Sequence, residues 1–473
     1  MMKSRRTKIV CTIGPASSSA ATLQALIEAG MNVARLNFSH GSHQDHAAVM
    51  DHLRNVSKQM GVTVPILQDL SGPKMRIGKL AQGLIQLVPH AKFVLTTQEV
   101  VGDETSVWIN TPDLVEALKP GDRILLADGE LELVVVSTTE DQINCEVVVG
   151  GQLRSNQGIN APGVSFKKPV PTQKDIQDLI FGIEQKVDWV AQSFVRSADE
   201  IRNLKSIIKQ NGSEMPVVVK LEKREALDDL DRILDEADGI MIARGDLGLE
   251  IPIQQVPLVQ KEVIKRANLA GKPVITATQM LESMMSSPRP TRAEVADVAN
   301  AIFDGTDAVM LSGETAAGRY PVKAARTMAD VAFATEQSID YPEQFKRKPT
   351  AAGDDVEDAI AHAACHTALG IGAQVIICCT RSGQTARLVA KYRPQATIIV
   401  ASPYEKTLLR AMLLWGTCPI QIAEAQSTDK MIAEAKSAVL KSGLANPGDR
   451  VVMVAGIPVG VPGTTNMIKA DVL

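Results

Sequence analysis

The chain has 473 residues, enough for about two to four domains, each with its own core. Apolar residues make up 45%, charged residues 22%, and the formal net charge is −4, which excludes a globally basic nucleic-acid binder or a protein drawn to anionic membranes. Aromatic residues are only 3%, so the cores must rest on Val, Ile, Leu, Ala and Met, and any phosphate recognition must be local.

At the start, Lys3, Arg5, Arg6 and Lys8 flank an apolar run of only Ile9-Val10-Cys11, short of the ~7–15 residues of a signal peptide's core. No stretch approaches the ~20 apolar residues of a membrane span. Cys11, Cys145, Cys365, Cys378, Cys379 and Cys418 form no C-x-x-C pair and are expected as reduced structural thiols. The expectation is a soluble, cytoplasmic protein.

Short apolar runs ending in polar residues recur at residues 8–14, 32–39, 64–69, 188–193, 217–222, 239–243, 273–278 and 308–314. Most lead into a helical pattern with a start signal, such as Ser42-His43-Gln44-Asp45, Thr172-Gln173-Lys174-Asp175 or Thr291-Arg292-Ala293-Glu294. Eight strand-then-helix units predict an α/β fold, a closed (β/α)8 barrel of the TIM type with its active site at the C-terminal strand ends. An open, doubly wound sheet is the alternative on pattern alone.

The rhythm breaks between Asp69 and about residue 168. Alternating strands are expected at 85–87, 93–97, 123–127, 131–137 and 143–149, with Asp128-Gly129 as a hairpin turn and no helix. The domains expected are therefore a barrel of residues 1–69 and 168–345 and an inserted β-barrel lid of residues 70–167. After a charged, proline-containing stretch at 341–350 comes a C-terminal open α/β domain of residues 346–473. It should carry helices near 355–370, 385–391, 404–414 and 428–441 and strands at 375–380, 398–401, 419–422 and 450–455.

The chemistry gathers at the strand ends. Arg35, Asn37 and Ser39 alternate with apolar residues and so share a face. Arg offers a planar fork for phosphate, while Asn37, Ser39 and the nearby Asp69 offer the oxygens hard cations need. His40 alone reads as structural. Gly72-Pro73 reads as a hinge, and Lys74 and Arg76 beyond it fit a lid closing over phosphates. Lys220 and Glu222 share a strand face, and a second carboxylate, Asp246, follows the next strand in Ala243-Arg244-Gly245-Asp246-Leu247-Gly248. A divalent cation between the two acids lets all three charges persist in a secluded site suited to substrates rich in anionic oxygen. Gly245 allows backbone N–H groups to approach an anion. Thr278, by itself a helix-cap hydroxyl, becomes a substrate contact beside that cluster. Thr380-Arg381-Ser382-Gly383-Gln384-Thr385 reads equally as an N-cap with an exposed Arg or as a phosphate site at a helix start.

With these residues the chain closely resembles the pyruvate kinase family along essentially its full length. Residues 35–41, 217–227, 243–248, 277–282, 291–294 and 311–315 match family motifs in family order. The resemblance implies transfer of a phosphoryl group from phosphoenolpyruvate to ADP, giving pyruvate and ATP, with Mg²⁺ (or Mn²⁺) held by Glu222 and Asp246. Gly245, Asp246 and Thr278 would hold the pyruvate carboxylate. Lys220 and Arg35 would flank the transferring phosphoryl group, as such chemistry requires. A threonine hydroxyl is too weak an acid to protonate the enolate alone, so Thr278 would orient a water relay. Asn37, His40 and Arg76 would lie near the nucleotide phosphates, and Arg292 near the active site or a subunit boundary. A homotetramer is expected.

Two departures stand out. Relatives that require K⁺ usually carry Glu where this chain has Lys74, so Asn37, Ser39, Asp69 and the Leu70 carbonyl would line a monovalent pocket in which Lys74 replaces the ion, and K⁺ would not be required. Gln157 stands where relatives often place a Lys for the nucleotide phosphates, with Lys74, Arg76 or Arg154 to compensate. The loop of Thr380, Arg381, Ser382, Gly383 and Thr385 would take a phosphorylated effector, a sugar monophosphate or AMP. A metal-dependent barrel lyase or aldolase, and a silent metabolite sensor, are the competing readings.

Overall fold

The computed structural model describes residues 5–164, 169–347, 355–458 and 464–473. The expected barrel boundary at residue 168 lies outside the described residues.

All eight anticipated runs are strands of one closed parallel barrel, and the open-sheet alternative is excluded. In chain order they are Lys8–Ile13, Val33–Asn37, Ile66–Asp69, Trp189–Gln192, Val217–Leu221, Gly239–Ala243, Val274–Ala277 and Ala308–Leu311; the last pairs with the first to close the ring. Several strands stop short of their expected ends. Glu222, Thr278 and Glu314 all lie past the ladder. The interior is filled by apolar side chains such as Leu67, Val218, Met241 and Ile275. Outside, Ser42, Thr172 and Thr291 each close a capping box, so the helix starts read from sequence are real N-caps.

The inserted region is mostly β, as expected. It forms a six-stranded sheet and a separate two-stranded sheet, Leu84–Leu87 with Gly151–Arg154. Residues 75–78 bridge the two edges of the six-stranded sheet, the Ile77 N–H donating to the Gln157 carbonyl at 3.0 Å and the Gly78 N–H to the Trp108 carbonyl at 2.7 Å. Strands Ser106–Trp108, Gly151–Arg154 and Ile159–Asn160 and the helix Asp113–Ala117 are too short to have stood out as periodic patterns. The Asp128-Gly129 turn is present, with φ of 54° and 89°.

The stretch read as a linker opens as a helix, Tyr341–Lys346, whose Tyr341 and Phe345 are buried in the C-terminal domain's core; its residues 348–350 lie outside the described residues. The C-terminal sheet runs in the order Thr417–Gln421, Thr397–Ser402, Val375–Cys379, Arg450–Gly456, Thr465–Val472. The last strand is antiparallel and was not anticipated, because its alternation of polar residues is that of an exposed edge. Strand order reverses beside Val375–Cys379, so the loop after it, Thr380–Thr385, opens at a topological switch point, where such sheets bind ligands. This domain docks on the barrel's N-terminal end, where Leu413 enters the barrel core and Lys8 Nζ donates to the Thr417 carbonyl at 2.6 Å. All six cysteines are free. No helix among the described residues is long and apolar enough to cross a membrane.

Candidate active site

At the C-terminal mouth of the barrel four strand ends deliver one ion cluster. Lys220 Nζ lies 2.8 Å from Glu222 Oε1 and 3.2 Å from Asp69 Oδ1, and donates to Ser193 Oγ at 2.7 Å. Arg35 grips the other oxygen of Asp69 through Nε and a terminal nitrogen, both at 2.7 Å, and donates to Thr12 Oγ1 at 2.8 Å. The Phe194 N–H donates to Glu222 Oε2 at 2.8 Å. All of these side chains are buried, so charge must be settled among them.

Burial works against the Lys220 ammonium, but Asp69 and Glu222 outweigh it and raise its pKa above the ordinary value. Burial likewise opposes the Asp69 carboxylate, yet Lys220 and Arg35 hold it below the usual carboxylate range. Glu222 goes the other way: burial, with Asp246 adding repulsion, raises it against the pull of Lys220. Glu222 is thus a carboxylate whose charge calls for more positive partners than the protein supplies.

Thr278 is not a helix cap. It sits at φ 67° with Gln279 at 54°, a conformation strained by about 1–3 kcal/mol for a non-glycine residue and worst for a β-branched one. Its hydroxyl donates to the Ala277 carbonyl at 2.7 Å and accepts from the Gly245 N–H at 2.8 Å. Arg244 holds the turn by donating to the Thr278 carbonyl at 2.8 Å while paired with Asp297 at 2.7 Å. Buried Glu314 supports the next segment, accepting from Leu281 N–H at 3.0 Å and Ser312 N–H at 2.7 Å. Gly245, Asp246 and Thr278 are therefore brought together as anticipated.

A cleft of about 370 Å³ separates the barrel mouth from the insertion. Asp246, His40, Phe194, Arg196, Lys223 and Glu225 line it from the barrel; Lys74, Arg76, Asp128, Asn156, Gln157 and Asn160 line it from the insertion. Burial and the Lys220 ammonium lower the pKa of Lys74, against Asp246, Glu222 and Asp69. His40 is lowered by burial and by Lys74, Arg76 and Arg35. Arg76 donates to the Asn156 carbonyl at 2.8 Å, and Gln157 Oε1 accepts from the Arg154 N–H at 2.7 Å. Arg154 itself is exposed and not among the cleft residues, and Arg292 is exposed at its helix start.

The supposed monovalent pocket is largely engaged by protein groups. The Leu70 carbonyl accepts from Ser193 at 2.7 Å, Asn37 Oδ1 accepts from Ser39 N–H at 3.1 Å, and Asp69 is shared by Arg35 and Lys220. Ser193, Arg196, Lys223 and Glu225 escaped the sequence reading. The rule that chemistry gathers at strand ends would have found Ser193 and Arg196 had it been applied to the fourth strand.

A second cavity, about 80 Å³, lies in the C-terminal domain among Thr380, Arg381, Ser382, Thr385, Tyr404 and Glu424. The Arg381 guanidinium lies 5.0 Å from the Tyr404 ring centre. Thr380 Oγ1 accepts from Gly383 N–H at 3.0 Å, and the Thr385 hydroxyl meets that of Thr465 at 2.7 Å. Gly383, at φ 90°, precedes the helix Gln384–Lys391.

The chain is similar in sequence and fold to known proteins. Residues 4–325 match the pyruvate kinase barrel domain and residues 358–470 the pyruvate kinase alpha/beta domain. A pyruvate kinase of Geobacillus stearothermophilus is 45% identical over 472 residues, covering 99% of this chain and 80% of that one. One from Staphylococcus epidermidis is 43% identical over 467 residues, covering 98% and 80%. The crystal structure of a pyruvate kinase from Cryptosporidium parvum superposes with a TM-score of 0.92 at 36% identity, covering 100% of this chain and 97% of that one. The chain belongs to the pyruvate kinase family, and its activity is the glycolytic transfer of a phosphoryl group from phosphoenolpyruvate to ADP, yielding pyruvate and ATP.

Proposed function

We propose that the transfer takes place in the cleft between barrel and insertion, with Lys220 and Arg35 flanking the moving phosphoryl group. The observation that carries this reading is the buried Lys220 ammonium, kept charged by Asp69 and Glu222, with Phe194, whose N–H holds Glu222, lining the cleft. Charge spreads over the phosphoryl oxygens in the transition state, and a fixed ammonium stabilises it without any reorganisation at that moment. The Gly245 N–H and the Thr278 hydroxyl receive the substrate carboxylate, exchanging their mutual bond for bonds to the ligand. Thr278 then orients the water that delivers a proton to the enolate carbon.

The family typically needs Mg²⁺. Glu222 and Asp246 fit such an ion: they repel each other at one cleft, and no third carboxylate, His or Cys joins them among the described residues. Mg²⁺ commonly takes one or two carboxylates and fills its shell with water and substrate oxygens. When bound, it supplies charge neutralisation to substrate oxygens. Mn²⁺ suits the same donors. On the nucleotide side, Arg76, His40 and Lys74 face the cleft where Gln157 offers no charge.

Lys74 fills the role of K⁺, and the support is its approach to Asp69 and Glu222 in a pocket whose oxygens are already engaged. Turnover is expected to persist when an inert organic cation replaces K⁺; loss of nearly all activity would refute this. The C-terminal cavity takes a phosphorylated effector, a sugar monophosphate or AMP, through Arg381 and the hydroxyls of Thr380, Ser382 and Thr385. The reduced thiols suit a cytoplasmic setting. A homotetramer remains the expected assembly, to be checked by light scattering. The decisive experiment for the site is an ATP-forming assay of Glu222→Gln and Asp246→Asn, both expected to lose activity and to bind Mn²⁺ more weakly.

A further inference from the structure

We propose that Ser193 is a positioning residue for Lys220, and that Ser193 and Phe194 together tie the Lys220–Glu222 pair to the hinge of the insertion. The proposal rests on the reading of Lys220 as the cation facing the phosphoryl group.

An ammonium has three N–H donors and needs three acceptors to fix its direction. Lys220 finds Ser193 Oγ at 2.7 Å, Glu222 Oε1 at 2.8 Å and Asp69 Oδ1 at 3.2 Å. The acceptors come from the ends of the fourth, fifth and third strands, so the ammonium is held from three directions. Ser193 is the neutral member of the set. A third carboxylate there would cancel charge that the phosphoryl group requires, whereas a hydroxyl orients the ammonium and leaves its charge in place. The hydroxyl is itself oriented. Its one hydrogen goes to the Leu70 carbonyl at 2.7 Å in preference to Asp69 Oδ1 at 3.3 Å, which leaves its lone pairs towards Lys220. Ser193 is 1% exposed, so no water substitutes easily.

Phe194 does the same for the other half of the pair, its N–H donating to Glu222 Oε2 at 2.8 Å. It adopts φ 58°, a strained conformation for an aromatic residue. The chain leaves the third strand for the insertion through Leu70, Ser71 and Gly72, directly against these two residues. A Cβ added to Gly72, at φ 65°, would stand 2.5 Å from Phe194 Cδ2 and 3.1 Å from Ser193 Cβ. The Gly72 N–H and the Ser71 hydroxyl are anchored to Asp175 Oδ1 at 3.0 Å and 3.2 Å. Movement of the hinge therefore presses on the segment that holds both catalytic charges.

The test is steady-state kinetics of Ser193→Ala and Ser193→Cys beside Lys220→Met, with thermal melting of each. Loss of one bond to a charged group predicts a kcat lower by about tenfold to about a hundredfold, with KM for phosphoenolpyruvate changed less than about threefold. Cysteine, of similar size but a poor acceptor, should be slow too. Amide exchange at Leu70–Gly72 should quicken in Ser193→Ala, because the Leu70 carbonyl has lost its partner. Near-parental kcat in Ser193→Cys would mean that packing, not the hydrogen bond, matters, and would overturn the proposal. Unchanged kcat in Ser193→Ala beside an inactive Lys220→Met overturns the positioning role alone. An active Lys220→Met overturns the reading of the site beneath it.

Discussion

The two ends of the barrel both bury ion pairs, yet they use them differently. At the N-terminal end Asp307 accepts from Arg393 at 2.8 and 2.9 Å, from Val274 N–H at 2.9 Å and from Trp415 N–H at 3.2 Å. Arg393 also donates to the Gly305 carbonyl and to Asn268 Oδ1, and lies 5.0 Å from the Trp415 ring centre. Arg393 comes from the C-terminal domain, and both members of the pair are buried. At the opposite end buried ion pairs lie beside a cleft lined by Asp246 and by Phe194, whose N–H holds Glu222, and there we propose that the charges trade partners with a substrate. Access, rather than the type of interaction, separates a clamp from a catalyst.

Lys220→Met should lower kcat by about 10³–10⁵-fold, the range seen when a transition-state cation is removed from phosphoryl transfer. A coupled assay with circular dichroism as the folding control decides it, and retained turnover would erase the distinction between the ends. Asp307→Ala should instead leave KM for phosphoenolpyruvate close to parental while costing about 3–5 kcal/mol in denaturant unfolding, because Arg393 is left buried without its partner. Arg381→Ala should raise the concentration of a sugar monophosphate or AMP needed for half-activation by about tenfold or more, with the basal rate unaltered. An unchanged half-saturation would remove Arg381 from that site.

The smallest effect concerns pH. Burial raises Asp188, which accepts from Ile66 N–H at 2.8 Å at the closed end, to a pKa of about 6. Its folded pKa is above the unfolded value of about 4, so the folded state binds the proton more tightly. Asp188 therefore subtracts stability near pH 7, and the deficit vanishes as pH falls through 6 towards 4. Asp188→Asn should add about 1 kcal/mol at pH 7 and flatten that slope. A variant that keeps the parental slope in melts from pH 7 to 5 would assign it to another group.

Much of the fold was legible because its signals are local. Each barrel strand is a short apolar run, and the caps at Ser42, Thr172 and Thr291 lie within four residues of the helices they start. Lys220, Glu222 and Asp246 were legible because each lies at or just past the end of a barrel strand, although Glu222 falls outside the ladder and Asp246 sits in the helix Arg244–Glu250. The edge strand Thr465–Val472 and the insertion's shortest strands were not, because short or polar-faced strands have no periodicity to betray them. Asp69 was anticipated in a cation pocket, and the structure has it bridging Arg35 and Lys220. No window of sequence contains all three.

The chain's local patterns set the number of barrel strands, the break that admits the insertion and the Lys220, Glu222 and Asp246 charges that follow those strands. Periodicity and capping act over a few residues, and a chain records them directly. Only the tertiary structure decided which charge pairs with which. Closing the ring sets distant strand ends side by side, seats Leu413 in the barrel floor and brings Ser193 against Lys220 and the hinge. Ion pairing in a buried site depends on distance and dielectric, and those exist only once the barrel has closed.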